Sequence, residues 1–352
     1  MQVVVVKKSF FRKYALYIIS VFLAVFITVC IFISVSVFSN QQPHRQTGFA
    51  MGTAVLQTLY GTGAEQTAQK ILHGIAALEV NLLSHRVAAS AVAVCNRSAG
   101  STEIDPRLAD WLSSSLRLAG DSGGAFNPAM GALIDLWGVE SADPAVPSRE
   151  DLAVALKHID YTKLTVSGSN VIREDPALLI DLGAVGKGIA CDYAREQLRG
   201  SGVSGGVVST GSSVLVYGAE PGGAAFDIGI RDPLGGPNDL LGVLRIENGV
   251  ISTSGGYEKY FEADGTRYHH IFDGKTGYPS DSGLLSVSVF CESGLLSDGL
   301  STACYVLGYE RSLELLKQYN AEAVFVLEDK TVRITVGLRQ YFTLENSAYA
   351  VV

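Results

Sequence analysis

The chain has 352 residues, 47% of them hydrophobic, with 38 glycines and a net charge of −8. That length accommodates one large domain or two smaller ones; with a mild acidic balance, nothing suggests a nucleic-acid footprint. Five cysteines (Cys30, Cys95, Cys191, Cys291 and Cys304) show no C-x-x-C pair and no zinc spacing, so buried free thiols are expected rather than a disulfide framework.

Lys7, Lys8, Arg12 and Lys13 precede an uninterrupted apolar run from Tyr14 to Phe38. About 24 helical residues span about 36 Å, enough to cross a bilayer with tilt. The run is longer than the apolar region of an ordinary signal peptide and has no clean small-x-small cleavage site after it. The pattern predicts a cytoplasmic basic segment (1–13), an uncleaved single transmembrane helix (14–38) and a polar linker (39–48). The rest, 49–352, is expected outside the cytoplasm, tethered to the cell membrane.

Beyond the linker, Phe49–Tyr60 reads as a first strand and Ala64–Leu83 as a helix with Ile71, Leu72, Ile75, Leu78 and Leu82 on one face. Pro106–Ala119 is a second helix, Ser122–Gly138 is punctuated by glycine and then apolar, and Glu150–Leu156 is a third helix. Ala177–Leu182 is a short apolar run ending near a carboxylate, the pattern of a buried strand. Gly183, Gly186 and Gly188 break it, and a helix is expected from Lys187. Strands follow around Thr210-Gly211, at Ala225–Arg231 and at Gly249–Ser254, with a hairpin around Asp264-Gly265. Leu284–Cys291 is a strand, Ser297–Val306 and Glu310–Tyr319 are helices, and Ala323–Leu327 with Thr331–Thr335 closes as a hairpin. Helices and strands mix without strict alternation, which favours α+β over a doubly wound α/β fold. Phe49–Val352 has no linker and reads as a single two-lobed domain with mixed sheets.

Four groups of residues carry chemistry. The glycine turn before Lys187 presents free N–H groups and the positive end of a helix dipole, suited to a phosphate or pyrophosphate flanked by Asp181 and Lys187. It is not a P-loop, because Gly188 stands where Ser or Thr must follow the lysine. Asp298 and Thr302, i and i+4 on a helix, project from one face; with a backbone carbonyl near Ala184 they form an all-oxygen set that suits Mg²⁺. By spacing alone, a capping or surface Asp beside an unrelated Thr is the plainer reading. His269 and His270 face opposite sides of a strand, so one of them faces a pocket, as a ligand, a base or part of a turn. Lys275-Thr276-Gly277 matches one β-lactamase motif, but no lysine has a serine three residues before it, which removes the acyl-enzyme reading.

Taken together these segments resemble the ApbE family, the FAD:protein FMN transferases, from Phe49 to about Phe342. The motifs are AMGT at Ala50–Thr53, SGGAF through GALIDLWG at Ser122–Gly138, and IDLGAVGKGIACD at Ile180–Asp192. They continue with ISTSGGYEKYF at Ile251–Phe261, HHIFDGKTGYP at His269–Pro279 and SDGLSTACYVLG at Ser297–Gly308. The resemblance implies a two-lobed α+β protein that transfers FMN from FAD through a phosphodiester to a threonine of an extracytoplasmic redox protein, releasing AMP. It implies an FAD site at Met51, Ala129, Met130, Gly131, Asp181, Lys187 and Ile271. It implies Mg²⁺ on the Ala184 carbonyl, Asp298 and Thr302, with Ser301 beside them. His270 is then the expected base, with Asp298 next. A Mg²⁺-dependent FAD pyrophosphatase and a non-catalytic flavin-binding protein are the alternatives. The sequence departs from the family pattern at Asn127 (usually Asp), Gly274 (usually Pro), Gly211-Ser212-Ser213 (usually Gly-Gly-Asp) and Ser84–Ser90.

Overall fold

The computed structural model describes residue 17 and residues 20–29, 42–98 and 100–352. Residues 20–29 are helical and exposed, Phe22 and Phe26 among them. Segment 1–13 and the rest of the expected transmembrane span lie outside the described residues, among which no helix is long and apolar enough to cross a membrane.

The chain opens with β1 (His44–Ala50) and β2 (Thr53–Gly61), then α1 (Ala64–Leu78), which runs into a π-helical turn at Glu79–Leu83. Next come α2 (Ala91–Arg97), β3 (Gly100–Glu103), α3 (Pro106–Asp121), α4 (Gly131–Trp137), α5 (Arg149–Ala155), β4 (Leu164–Ser167) and β5 (Asn170–Arg173). The middle of the chain holds α6 (Gly186–Leu198), β6 (Val203–Thr210), β7 (Ser213–Gly218), β8 (Phe226–Arg231), β9 (Leu240–Ile246) and β10 (Gly249–Gly255). A hairpin, β11 (Tyr260–Ala263) and β12 (Thr266–His269), precedes β13 (Leu284–Cys291), α7 (Gly294–Leu307) and α8 (Tyr309–Gln318). The chain closes with β14 (Glu322–Leu327), β15 (Thr331–Ile334), β16 (Phe342–Leu344) and β17 (Ala350–Val351).

A nine-stranded sheet in the order β1-β2-β6-β7-β10-β13-β14-β15-β17 forms the frame. Its pairs are antiparallel except β15 with β17. Successive residues on a strand point to opposite faces, and both faces are covered. Leu215, Val250 and Phe325 pack toward the helices, while their neighbours Val216, Ile251 and Val324 pack against the small β16-β9-β8 sheet. A third cluster, around Trp137, joins α4 and α5 to Phe272 beside the β11–β12 hairpin. The architecture is the mixed α+β fold with mixed sheets that the pattern predicts.

Two expected elements differ. Phe49–Tyr60 is not one strand: the chain reverses at Met51 (φ 53°) and Gly52 (φ 69°), and β1 reaches back to His44, into the expected linker. Ala177–Leu182 is buried in part but joins no sheet. Its backbone is satisfied locally, by Pro128 O from Asp181 N–H, by Leu179 O to Gly131 N–H, and by the Asn96 amide on both sides of Ile180. An apolar run of this length reads the same whether its hydrogen bonds go to a strand or to loops. Strands β3, β4, β5, β9, β16 and β17 and helix α2 are not among the expected elements; apart from β9 and α2 these have four residues or fewer, too few to show a period. Cys95, Cys191, Cys291 and Cys304 are buried free thiols, as expected.

Candidate functional site

Helices α6 and α7 cross at glycines. A Cβ on Gly188 would sit 2.0 Å from Gly294 O and 2.8 Å from Asp298 Cβ, and one on Gly294 would sit 2.2 Å from Gly188 O. Only bare backbone permits this approach, and it lets each helix cap the other. Asp298 of α7 accepts from Gly188 N–H at the start of α6 (2.9 Å). Asp192 of α6 accepts from Gly294 N–H (2.7 Å) and Leu295 N–H (2.9 Å) at the start of α7. Carboxylates belong at helix N-termini, where N–H groups lack intrahelical partners, and this reciprocity sets Asp298 against the glycine turn.

Asp298 is 4% exposed. Burial pushes its carboxyl above the usual range, against the pull of the Lys187 charge and the Gly188 and Ser213 donors. Its second oxygen, Oδ1, accepts from Ser213 Oγ (3.2 Å); Ser252 Oγ donates to Ser213 Oγ (2.9 Å), and Ser297 Oγ lies 3.0 Å behind Ser252. The serine at the departure from Gly-Gly-Asp is thus a direct partner of the buried carboxylate.

Asp298 opens onto a cleft of about 310 Å³, also lined by Met51, Met130, Asp181, Ala184, Lys187, His270, Ile271 and Thr302. That volume is in the range of small-molecule sites. Three predicted residues stand behind the wall. Ser301 is fully buried and donates to Asp298 O (2.8 Å). Ala129 is buried with its N–H on Asn127 Oδ1, and Gly131 packs on Leu179, where a Cβ would lie 2.7 Å from its carbonyl oxygen. These support the wall rather than line it. Asn127 does line the cleft, and its amide also donates to Ile159 O (2.7 Å), which a carboxylate at this position could not do.

The two adjacent histidines separate at the end of β12, His269 being its last residue and His270 the one just beyond it. His269 packs edge-on against Tyr305, with Nε2 3.1 Å from Ser280 O, and is structural. His270 lines the cleft, with Nδ1 3.2 Å from Lys259 O. A carbonyl only accepts, so Nδ1 carries the proton and Nε2 is bare. Burial, then the charges of Lys259 and Lys187, lower the pKa of His270 to about 4. Lys275-Thr276-Gly277 is a turn closed on Asp273, and its Gly277 carbonyl accepts from Trp137 Nε1 (2.8 Å).

Other cleft residues escaped the sequence reading. Glu140 pairs with Lys259 (2.8 Å) and lies 3.6 Å from Arg86. Glu79 accepts from Met51 N–H (2.6 Å) and so fixes the β1–β2 turn at the cleft edge. His85 pairs with Asp181 (2.9 Å). The signal for His85 and Arg86 was present as a departure from the family pattern at Ser84–Ser90, but nothing in the sequence said which departing residue faces inward.

Asp298, the Thr302 hydroxyl and the Ala184 carbonyl could hold a divalent ion. A carboxylate that burial disfavours as an anion gains most from a cation beside it, and the donors are hard oxygens. Among the described residues no three His, Cys, Asp or Glu side chains come together as a metal cluster. One carboxylate with few protein ligands matches Mg²⁺, which keeps waters and substrate phosphates as its other ligands.

The sequence profile described as the ApbE family matches residues 51–325. The FAD:protein FMN transferase of Treponema pallidum is 36% identical over 267 residues, covering 71% of this chain and 74% of its own. That of Klebsiella pneumoniae is 30% identical over 321 residues, covering 89% and 98%. The crystal structure of the ApbE protein of Thermotoga maritima superposes with a TM-score of 0.80 at 29% identity, over 85% of this chain and 99% of that one. The apo flavinyl transferase ApbE of Pseudomonas stutzeri gives 0.75 at 27% identity, over 87% and 98%. With its motifs gathered around one cleft on this fold, the chain belongs to the ApbE family.

Proposed function

We propose that this protein is an FAD:protein FMN transferase that uses Mg²⁺, moves FMN to a threonine or serine hydroxyl of an extracytoplasmic redox protein, and releases AMP. The observation that carries the reading is the convergence of Asp298, Thr302, Ala184, Lys187 and His270 on one cleft. Family membership and the names of the relatives support it.

FAD is the substrate. The new bond joins the acceptor hydroxyl oxygen to the FMN phosphorus, the pyrophosphate P–O bond breaks, and AMP leaves with the electron pair. Mg²⁺ held by Asp298, Thr302 and the Ala184 carbonyl would supply charge neutralisation at the pyrophosphate. Lys187 and the start of α6 add fixed positive charge at the same place. His270 takes the hydroxyl proton on Nε2, its bare nitrogen. The negative charge of the pyrophosphate offsets Lys187 and Lys259 and so raises the proton affinity of His270. Met51, Met130 and Ile271 hold the dinucleotide, with Asp181 in the cleft wall beside them. An anchor through residues 14–38 keeps the domain at the membrane surface, and the exposed Phe22 and Phe26 suit lipid contact.

Incubating the full-length chain in detergent with FAD, Mg²⁺ and an acceptor protein bearing a threonine motif tests this. A mass shift of one FMN phosphodiester on the acceptor threonine, with AMP release, is the expected result. Free FMN with an unlabelled acceptor would identify a pyrophosphatase, and bound but intact FAD a non-catalytic binder.

A further inference from the structure

His85 follows the π-helical turn at the end of α1 and lines the cleft. Its Nδ1 lies 2.9 Å from Asp181 Oδ2. Asp181 is buried, and its other oxygen accepts from Gly183 N–H (2.6 Å). A carboxylate only accepts, so His85 Nδ1 carries the proton in this pair. The opposite ring nitrogen, Nε2, is buried and has no hydrogen-bond partner among the described residues. Asp135 Oδ1 stands 3.7 Å from it, beyond hydrogen-bond reach. Buried polar atoms are almost always paired, and an orphaned one in the wall of a cleft is completed by what enters the cleft.

We infer that His85 Nε2 hydrogen-bonds the bound dinucleotide and that Asp181 is the positioning residue that aims it. This rests on the FAD reading above and deepens it. Asp181 then acts through His85, because both of its oxygens are already engaged, by the imidazole and by Gly183 N–H. The hydrogen bond that His85 donates to Asp181 raises the proton affinity of His85, against burial; the Arg86 charge lowers it and Asp135 raises it. Carboxylates stand at both ends of the ring, Asp181 at Nδ1 and Asp135 3.7 Å from Nε2, a setting that favours the imidazolium, which donates from both nitrogens; its match is an acceptor oxygen. On FAD that is a phosphate oxygen or a flavin carbonyl.

The test is calorimetric titration of the full-length chain in detergent with Mg²⁺ and, separately, FAD, ADP and riboflavin. Wild type, His85→Gln, Asp181→Asn and the double variant are compared. His85→Gln, whose amide reaches the same point without the charge, is expected to weaken FAD about tenfold, the difference between a charge-assisted and a neutral hydrogen bond. A phosphate partner carries the loss to ADP and spares riboflavin; a flavin partner does the reverse. Asp181→Asn weakens FAD too, but adds nothing in the His85→Gln background. Wild-type FAD affinity in His85→Gln overturns the contact, and additive losses in the double variant overturn the positioning role. A wild-type chain that binds no FAD removes the dinucleotide reading itself. Melting temperatures separate lost binding from lost folding, and His85→Asn, too short to reach the cleft, carries the same test where His85→Gln melts early.

Discussion

At Asp298 burial and hydrogen bonding act in opposite directions, and the balance is what makes the residue useful. Burial raises its proton affinity, while Lys187, Gly188 N–H and Ser213 hold the anion. Asp298→Ala is expected to abolish both turnover and the dependence on Mg²⁺, followed as AMP release; retained metal-dependent activity would remove the metal assignment. Ser213→Ala removes one donor and, at about 1.5–3 kcal/mol for a hydrogen bond to a charged group, should weaken Mg²⁺ activation roughly tenfold or more in metal titrations. His270→Ala should slow transfer while FAD remains bound, read by titration and by acceptor labelling. His270 also leaves a mark on stability. Folded, it takes its proton near pH 4; unfolded, near the ordinary 6.5. Between those values the unfolded chain holds more protons, so stability falls as pH drops through that window, by up to about 1.4 kcal/mol per pH unit. Urea unfolding of wild type and His270→Gln from neutral pH down to pH 4 should show the variant's curve flattened there. His270, Asp298 and Thr302 could be singled out from sequence. Ser213 and His85 could not, because what gives them meaning is the carboxylate each meets, 85 and 96 residues away in the chain.

The crossing of α6 and α7 shows how little of an element's role is written in its own periodicity. Both helices were legible from their patterns, but the crossing depends on Gly188 and Gly294, which in sequence look like turn residues. Gly188→Ala should cost about 1–3 kcal/mol through overpacking and lower the melting temperature by several degrees. Gly186→Ala, two residues earlier, meets nothing within 4 Å and should leave stability unchanged or slightly raised, since alanine is the better helix former. Equal melting temperatures for the two variants would refute the close crossing. Activity should fall with Gly188→Ala as well, because Asp298 is displaced from the glycine turn. The segment Ala177–Leu182 makes the complementary point. Its apolar run predicts burial correctly, but its hydrogen-bond partners lie in Pro128, Gly131 and Asn96, so it lies beside loops where a strand was expected.

Over the whole molecule, the nine-stranded sheet carries α1, α6, α7 and α8 on one face and the β16-β9-β8 sheet on the other, and the cleft opens on the helix side. A membrane anchor at residues 14–38 would set that cleft at a surface where an extracytoplasmic acceptor can reach it. The full-length chain should sediment with membranes and resist carbonate extraction, and removal of residues 1–41 should release it; a full-length chain found in the soluble fraction would refute the anchor.

The order and spacing of the motifs determined the family, the fold class and a core of the cleft residues without coordinates, because short runs around glycine turns constrain backbone and chemistry together. Packing alone decided which residues face the cleft and which stand behind it. Ser301 and Thr302 differ by one position yet fall on opposite sides of the wall, and His269 and His270 likewise. His85 acquires its role only where Asp181 is brought against it. A linear sequence records side-chain types and local period, whereas the environment of a buried polar atom is made by segments that meet only in the folded chain.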